Sequence, residues 1–196
     1  MNFLNNLSFD TNIDIDTDIL PPNPSGCIHG SCSVLLGDNK TQKLVKHIKK
    51  NDLVKTPSGV AKVVCVFKIN FQNYNQKMVE FDNGLIITPY HPIKNNNVWT
   101  FPCSISPIKD IVCDAVYDFV LDHGHIMIIN GIECVTLGHN INDNEIIKHP
   151  YFGTNAVIND LQKITGYKSG YISVNPTDLI MKRDDTTGIV CGMKII

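Results

Sequence analysis

Short apolar runs closed by turn residues fill the chain from residue 32 to about residue 140. Two of the turns are Asn-Gly pairs, Asn83-Gly84 and Asn130-Gly131, and each stands between apolar segments. An Asn-Gly pair in that setting is typical of a tight hairpin, because both turn residues adopt positive φ. The predicted strands include residues 60–67, 78–81, 85–88, 126–129 and 132–136. Regular short strands with frequent turns predict an all-β domain, with one short helix over residues 44–50.

The hydrophobic pattern changes after residue 150. Four apolar residues recur at helical spacing within residues 155–165, and Gly166 stands where a glycine would end a helix. The four residues are Val157, Ile158, Leu161 and Ile164. Strand-like segments follow at residues 171–174 and 189–191. These features predict a small α+β extension behind the β domain.

The chain divides into three predicted parts. Residues 1–25 alternate acidic and apolar positions and end near Pro21-Pro22-Asn23-Pro24, which favours an extended chain over a helix. We expect these residues to form a flexible N-terminal leader. Residues 26–140 form the β core, and residues 141–196 form the C-terminal extension, which we expect to pack on that core.

Composition narrows the classes of partner and compartment. The 196 residues carry a net charge of −2, so neither nucleic acid nor an anionic membrane is an expected partner. No apolar run approaches the roughly 18 residues of a membrane span, and the N-terminus lacks the basic and apolar regions of a secretory signal. Seven cysteines without a CxxC pair indicate thiols in a reducing compartment. We therefore expect a cytoplasmic protein that needs no cofactor and no metal.

Gly26-Cys27, at the border between leader and core, is the strongest candidate for chemistry. The Cys27 thiol would attack the carbonyl carbon of Gly26, which moves the acyl group from nitrogen to sulfur and forms a thioester. Nucleophile and carbonyl belong to one chain, so effective molarities of about 10⁵–10⁸ M are available when the geometry is right. Gly26 lacks a Cβ, so its carbonyl is open to close approach. The alternative for Cys27 is a small buried hydrophobic residue.

Four more residues supply what this reaction needs. His91 is a natural acid for the departing amide nitrogen, and the Thr88 hydroxyl would orient the scissile amide or the histidine. Asp118 lies in an apolar run, where burial would raise its pKa and let it accept the thiol proton. His125 follows as a supporting group. Taken singly, each has an ordinary alternative, such as a turn histidine or an edge-strand aspartate that faces water.

Together these segments resemble a Hint domain, the autoprocessing fold of inteins and hedgehog processing domains. Cys27 with Gly30, followed by residues 33–38, is similar to the first block of that family. Thr88-Pro89-Tyr90-His91 is similar to its TxxH block, and residues 116–131 to its late block. More specifically, the chain resembles the Vint subfamily, which is found beside von Willebrand A-type domains, up to about residue 192. The resemblance implies a horseshoe of short antiparallel strands and an autocatalytic cleavage that happens once per molecule.

The chain departs from inteins at the end of the late block. Val135-Thr136 occupy the positions where an intein ends in His-Asn, and a real pair, His139-Asn140, comes four residues later. Ile141, which follows, cannot accept an acyl group. We therefore expect no splicing. The substrate is the protein's own N-terminal segment, which is transferred from the thioester at Gly26-Cys27 to water, a thiol or an amine. Cleavage after Asn140 by cyclisation of its side chain stays open.

Three other functions stay open on the sequence alone. An inert Hint fold that serves as an interaction module would carry the same motifs and cut nothing. A metal-binding module is suggested by seven cysteines and seven histidines, although Cys27/Cys32 and His123/His125 lack the paired short loops of structural zinc sites. A cysteine hydrolase for outside substrates would turn over added peptide, whereas a self-processing domain acts once.

Overall fold

The structure, a computed structural model, describes residues 26–196, so the predicted flexible leader lies outside the described part of the chain. Strands dominate the described residues, which confirms the prediction of an all-β fold. The strands are β1 (Ile28–His29), β2 (Ser33–Leu35), β3 (Gln42–Leu44), β4 (Leu53–Thr56), β5 (Gly59–Glu80), β6 (Ile86–Ile87), β7 (Ile93–Asn95), β8 (Val98–Thr100), β9 (Ile108–Leu121), β10 (Ile126–Ile129), β11 (Ile132–Val135), β12 (Tyr171–Val174), β13 (Leu179–Arg183) and β14 (Val190–Ile195).

Two long strands, β5 and β9, carry the main sheet. They pair antiparallel from Val63 opposite Leu121 to Val79 opposite Ile108. The ladder is interrupted where residues 71–73 of β5 lie between successive pairs, with positive φ at Gln72 and Asn73. Because such a bulge bends a strand without ending it, β5 runs for 22 residues, far beyond the apolar segment that predicted a strand over 60–67.

The short strand β1 positions the start of the described chain. It lies between β6 and β9, with Ile28 opposite both Ile87 and Tyr117. β6 also pairs with β5, and β5 pairs with β9, so β5, β6, β1 and β9 form a closed circuit of strands. Neighbours on both sides hold β1, and therefore the residue before it, in a fixed position.

A second antiparallel sheet has the strand order β3-β2-β10-β11-β7-β8. β10 and β11 are joined by Asn130-Gly131, whose φ angles are 49° and 80°. Both values are the left-handed ones that a two-residue hairpin turn demands, so this hairpin prediction is confirmed. The hairpin brings Val135, at the end of β11, back toward the start of β10, where it pairs with Ile126.

Helical structure is limited to short segments. The predicted helix over 155–165 forms as α1 (Asn155–Leu161), which begins after Thr154, whose hydroxyl accepts a hydrogen bond from the Ala156 N–H. The predicted helix over 44–50 is wrong: Leu44 ends strand β3, and only a 3₁₀ turn follows, because pairing of β3 with β2 outweighs a weak helix preference. No α-helix within residues 26–196 has the length and hydropathy of a bilayer-spanning helix.

The segment after residue 140 contacts the sheets directly. β12 pairs parallel with residues 66–69 of β5 and so extends the main sheet. α1 buries Val157 and Leu161 in the same core cluster that contains Cys27. β13 and β14 form a separate antiparallel hairpin. The division of the chain at residue 140 stays a prediction.

Candidate functional site

Cys27 lies between two strands that each carry a predicted site residue. It directly precedes β1, whose register places Ile28 opposite Ile87 of β6 and Tyr117 of β9. Extending this register by one residue brings Cys27 opposite Thr88 on one side and Asp118 on the other. The Cys27 side chain is buried, at 2% exposure. Strand pairing thus gathers residues that are 61 and 91 positions apart in the sequence.

Thr88 holds the backbone on both sides of the Cys27 α-carbon. Its hydroxyl oxygen accepts a hydrogen bond from the Cys27 N–H at 2.8 Å. Its own N–H donates to the Cys27 carbonyl at 2.9 Å. The Cys27 nitrogen is the amide nitrogen of the Gly26–Cys27 peptide bond, so Thr88 fixes the orientation of the bond that would be cut. Thr88 is itself buried.

The His91 imidazole is fixed from its far side. Nε2 lies 2.9 Å from the Val135 carbonyl oxygen, and since a carbonyl only accepts, this nitrogen carries the proton. Burial lowers the pKa of His91 to about 4, while the Val135 and Gly26 backbones act in the opposite sense and His139 lowers the pKa further. The ring is therefore neutral at neutral pH. Nδ1 is buried and has no hydrogen-bond partner among residues 26–196, so it keeps its lone pair.

Gly26 packs against the His91 ring so closely that only glycine fits. A Cβ on Gly26 would overlap with Nδ1 and Cγ of His91, and the ring cannot move aside without losing its bond to Val135. The unprotonated nitrogen of His91 therefore lies beside the backbone of the residue whose carbonyl carbon would be attacked. This close packing explains why the residue before Cys27 is a glycine.

Asp118 is a buried carboxyl group that accepts a hydrogen bond from the backbone. Only 2% of the residue is exposed, and Oδ1 accepts from the Phe119 N–H at 2.7 Å. Burial raises the pKa of Asp118 well above its ordinary range, and the Phe119 hydrogen bond offsets only part of this effect. Such a carboxyl has a high affinity for a proton. Asp118 lines the same cleft as Gly26, Thr88 and His91.

Asp118→Asn is expected to separate cleavage from stability. A carboxyl whose pKa is raised by folding stabilises the protein fully below its unfolded pKa, near 3.9, and this contribution is lost as pH rises through the folded pKa. Asparagine keeps an acceptor for Phe119 but cannot ionise. The urea midpoint of Asp118→Asn, relative to that of wild type, should therefore increase as the pH is raised from 5 to 8. Cleavage before Cys27 should slow by about 10²-fold or more.

The matched control is Asp114→Asn, an exposed position on the same strand. It should change neither cleavage nor the pH dependence of unfolding. Equal cleavage rates in Asp118→Asn and wild type would remove Asp118 from the chemistry, and an unchanged pH dependence would contradict the burial argument.

His125 is not among the residues that line the cleft, although it interacts with the lining residues Leu137 and His139. It is half-buried and adopts a positive φ of 39° after Gly124. Its Nδ1 is buried and makes no hydrogen bond to any residue that the structure describes. Burial lowers the pKa of His125, while the Leu137 backbone acts in the opposite sense. Its proposed supporting role would have to act through neighbouring residues.

The pair His139-Asn140 is split between the cleft and the surface. His139 is buried and lines the cleft, and burial, followed by the charge of His125, lowers its pKa to about 4. Asn140 is exposed, and its side-chain amide donates to the Gly138 carbonyl at 3.0 Å and to Asn155 Oδ1 at 3.2 Å. These bonds engage the amide nitrogen that would attack the Asn140 carbonyl carbon in a cyclisation.

A cleft of about 1090 Å³ joins these groups to the C-terminal extension. Its lining includes residues 88–92, 135–137 and 139 of the β core and residues 145–150 and 187–190 of the extension. His149 also lines it, and burial lowers the pKa of His149 to about 4. Sequence reasoning did not assign a role to His149 or to the Val135 carbonyl. No local signal marks either, since both act through groups that folding brings from distant segments.

Within residues 26–196, no group of three or more His, Cys, Asp or Glu side chains has a geometry that would hold a metal ion. Two of the cleft histidines form hydrogen bonds with the backbone through a ring nitrogen. Nε2 of His91 donates to the Val135 carbonyl, and Nδ1 of His149 accepts from the Tyr151 and Phe152 N–H groups. The six cysteines other than Cys27 are spread over the buried interior and the surface.

A family model described as Vint, Hint-domain, matches residues 26–192. Among solved structures, the gp41-1 intein is similar at 15% identity and a TM-score of 0.45, with 58% of this chain and 100% of that chain covered. A DnaB intein from Synechocystis sp. PCC 6803 is similar at 16% identity and a TM-score of 0.46, with 57% and 99% covered. The Ssp DnaB mini-intein variant M86 is similar at 15% identity and a TM-score of 0.46, with 58% and 96% covered. No curated protein matches the chain.

Proposed function

Because the chain belongs to the Vint family of Hint domains, an autoprocessing type of domain, we propose that it cuts its own backbone between Gly26 and Cys27. Cys27 is the nucleophile, the product of the first step is a thioester, and the segment up to Gly26 is then released. One observation carries this proposal: Thr88 and His91 both lie on the Gly26–Cys27 peptide unit, one on its nitrogen and one on its glycine.

The first step exchanges an amide bond for a thioester bond. The Cys27 sulfur bonds to the Gly26 carbonyl carbon, and the bond from that carbon to the Cys27 nitrogen breaks. The thiol loses one proton, and the nitrogen gains one to leave as an amine. Removal from water strengthens each electrostatic contact in the site, and the fixed strands hold the reacting atoms together, which is where intramolecular catalysis gains most.

Two buried groups support the proton transfers. Asp118, with its raised pKa, is suited to accept the thiol proton. His91 is neutral at neutral pH, so it must take up the proton that it donates, and a pKa of about 4 makes its protonated form a strong acid toward the leaving nitrogen. The sequence suggested His91 as a simple acid. We propose a relay in which the thiol proton reaches the amine through Asp118 and His91, which line the same cleft.

The second step is transfer of the acyl group to water, a thiol or an amine, without splicing. Asn140 is exposed and hydrogen-bonded through its side-chain amide, which favours an intact peptide bond between Asn140 and Ile141. Ile141 offers no hydroxyl or thiol as acceptor. Each molecule acts once, because Cys27 has no second acyl group to accept.

His91→Ala tests this assignment. Loss of a positioned proton donor typically costs about 10²- to 10⁴-fold in rate, so release of residues 1–26 should slow by that factor, as measured by intact-mass spectrometry over time. His123→Ala is the control, because His123 is an exposed histidine that bonds only to Asp122 among the described side chains. A slowing of less than threefold in His91→Ala would remove His91 from the mechanism.

A further inference from the structure

The cleft beside the scissile bond is larger than the cleavage requires. Its volume of about 1090 Å³ matches the upper end of ligand pockets, roughly 300–1,000 Å³. The reacting groups are only a thiol, a hydroxyl, an imidazole and a carboxyl. Most of the remaining lining is apolar, and it includes Tyr90, Phe101 and Phe152. Tyr90 and Phe101 pack edge to face, with ring centroids 5.7 Å apart.

We propose that this cleft is a recognition site for the residues that directly precede the scissile bond, residues 18–25. The inference rests on the proposed function, since it concerns the substrate segment of that cleavage. Chain continuity is the first argument: Gly26 itself lines the cleft, and residue 25 is bonded to it. The residues before Gly26 are therefore tethered at the cleft by the chain itself.

The chemistry of the preceding residues matches the walls. Ile19-Leu20-Pro21-Pro22 is an apolar stretch that begins seven residues before Gly26. At about 3.3 Å per extended residue, an extended segment of this length can reach up to about 23 Å from Gly26. The prolines favour an extended chain and lower the entropy lost on binding.

The charges of the two partners are also complementary. The apolar stretch is preceded by Asp14, Asp16 and Asp18. The cleft is lined by Arg183, whose guanidinium donates to the Gly188 carbonyl at 2.9 Å and makes no ion pair within residues 26–196. Lys148 also lines the cleft but is already paired with Glu145 at 2.6 Å. Arg183 is therefore the cation most available to an acidic segment.

This recognition assigns a function to the C-terminal extension. Residues 145–150 and 187–190 line the cleft, yet the proposed thioester step uses none of them. By binding the segment before Gly26, they would hold its backbone in register with Cys27. Cleavage would then depend on the sequence of that segment well beyond Gly26.

The experiment compares thiol-induced release from five versions of the full 196-residue chain, the fifth of which combines the changes of the second and the fourth. The first is wild type, and the second carries Ile19→Ser with Leu20→Ser. The third carries Leu4→Ser with Leu7→Ser, a matched change beyond the reach of the cleft. The fourth carries Ile189→Ser, at a wall residue that is 42% exposed and so tolerates a polar side chain. Release of residues 1–26 with dithiothreitol is followed by intact mass.

The near-leader variant and the wall variant should each release about tenfold more slowly than wild type, and the far-leader variant within twofold. Combining the near-leader and wall changes should slow release no further, because both remove one shared contact. Equal rates in near-leader and far-leader variants, or multiplied losses in the combination, would overturn the recognition site. If wild type itself releases nothing, the proposed cleavage fails and this inference with it, whereas equal release from all versions would overturn the inference alone.

Discussion

A chain that carries Cys27→Ala is expected to keep residues 1–26 attached under conditions in which wild type releases them. The expected loss is complete, because no other step of the proposed mechanism can begin without the sulfur that attacks Gly26. Alanine fits the buried position and leaves the Thr88 contacts intact, since both use backbone atoms of residue 27. Intact mass over several days measures the effect.

Cys113→Ala is the matched control for this prediction. Cys113 is fully buried in the same core cluster as Cys27 and lies on β9, the strand that carries Asp118. Its loss should leave the release rate within a few-fold of wild type. Cleavage of Cys27→Ala at the same bond would show that a contaminating protease, or a different nucleophile, cuts the chain.

A fragment of residues 27–140 is expected not to fold as a stable domain. The missing part includes β12, which pairs with β5, and the helical residues Val157 and Leu161, which are fully buried. Burial of two such side chains contributes about 3–6 kcal/mol, a large part of the 5–15 kcal/mol that typically stabilises a domain. Circular dichroism and urea unfolding should show loss of cooperative unfolding.

The control for the truncation is Val157→Ala in the full 196-residue chain, which should unfold cooperatively but at lower urea. A 27–140 fragment as stable as the full chain would contradict this account and make the extension a separate unit. The appearance of a 141–196 peptide in wild type would also contradict it, because Asn140 would then cleave after all.

Much of the fold follows from local sequence signals. The Asn130-Gly131 turn forms because these residues tolerate left-handed φ at both positions. Helix α1 begins behind Thr154, whose hydroxyl caps it, at the point where the apolar spacing changes. Alternation in β12 is equally local, since exposed Tyr171 and Ser173 alternate with buried Ile172 and Val174.

Other features depend on contacts that no local pattern encodes. Residues 44–50 carry helix-forming lysines, yet Leu44 pairs with Ser33, and the sheet wins. β5 continues through the polar residues Gln72 and Asn73 because β9 pairs with it on both sides of the bulge. The parallel pairing of β12 with β5 joins segments about a hundred residues apart.

The candidate site likewise combines features that the local sequence predicts with features that depend on the complete fold. The sequence supplied Cys27, Thr88, His91 and Asp118, because each is a chemically capable residue in a motif. The sequence did not indicate the Val135 carbonyl that fixes the His91 tautomer. Every residue has a carbonyl, and only the folded position of β11 brings this one to His91. The sequence also did not show that His91 would be neutral, because the pKa depends on burial by the whole fold.

The most direct test of a thioester at Gly26–Cys27 is the intact mass of the products formed when the wild-type chain is incubated with a small thiol. Dithiothreitol should speed cleavage and yield two species, residues 27–196 and residues 1–26 with the thiol attached to the Gly26 carbonyl as a thioester. That adduct should then hydrolyse to the free acid. A chain that stays at its full mass with the thiol for days, or a cut that carries no adduct and does not respond to thiol, would contradict the account.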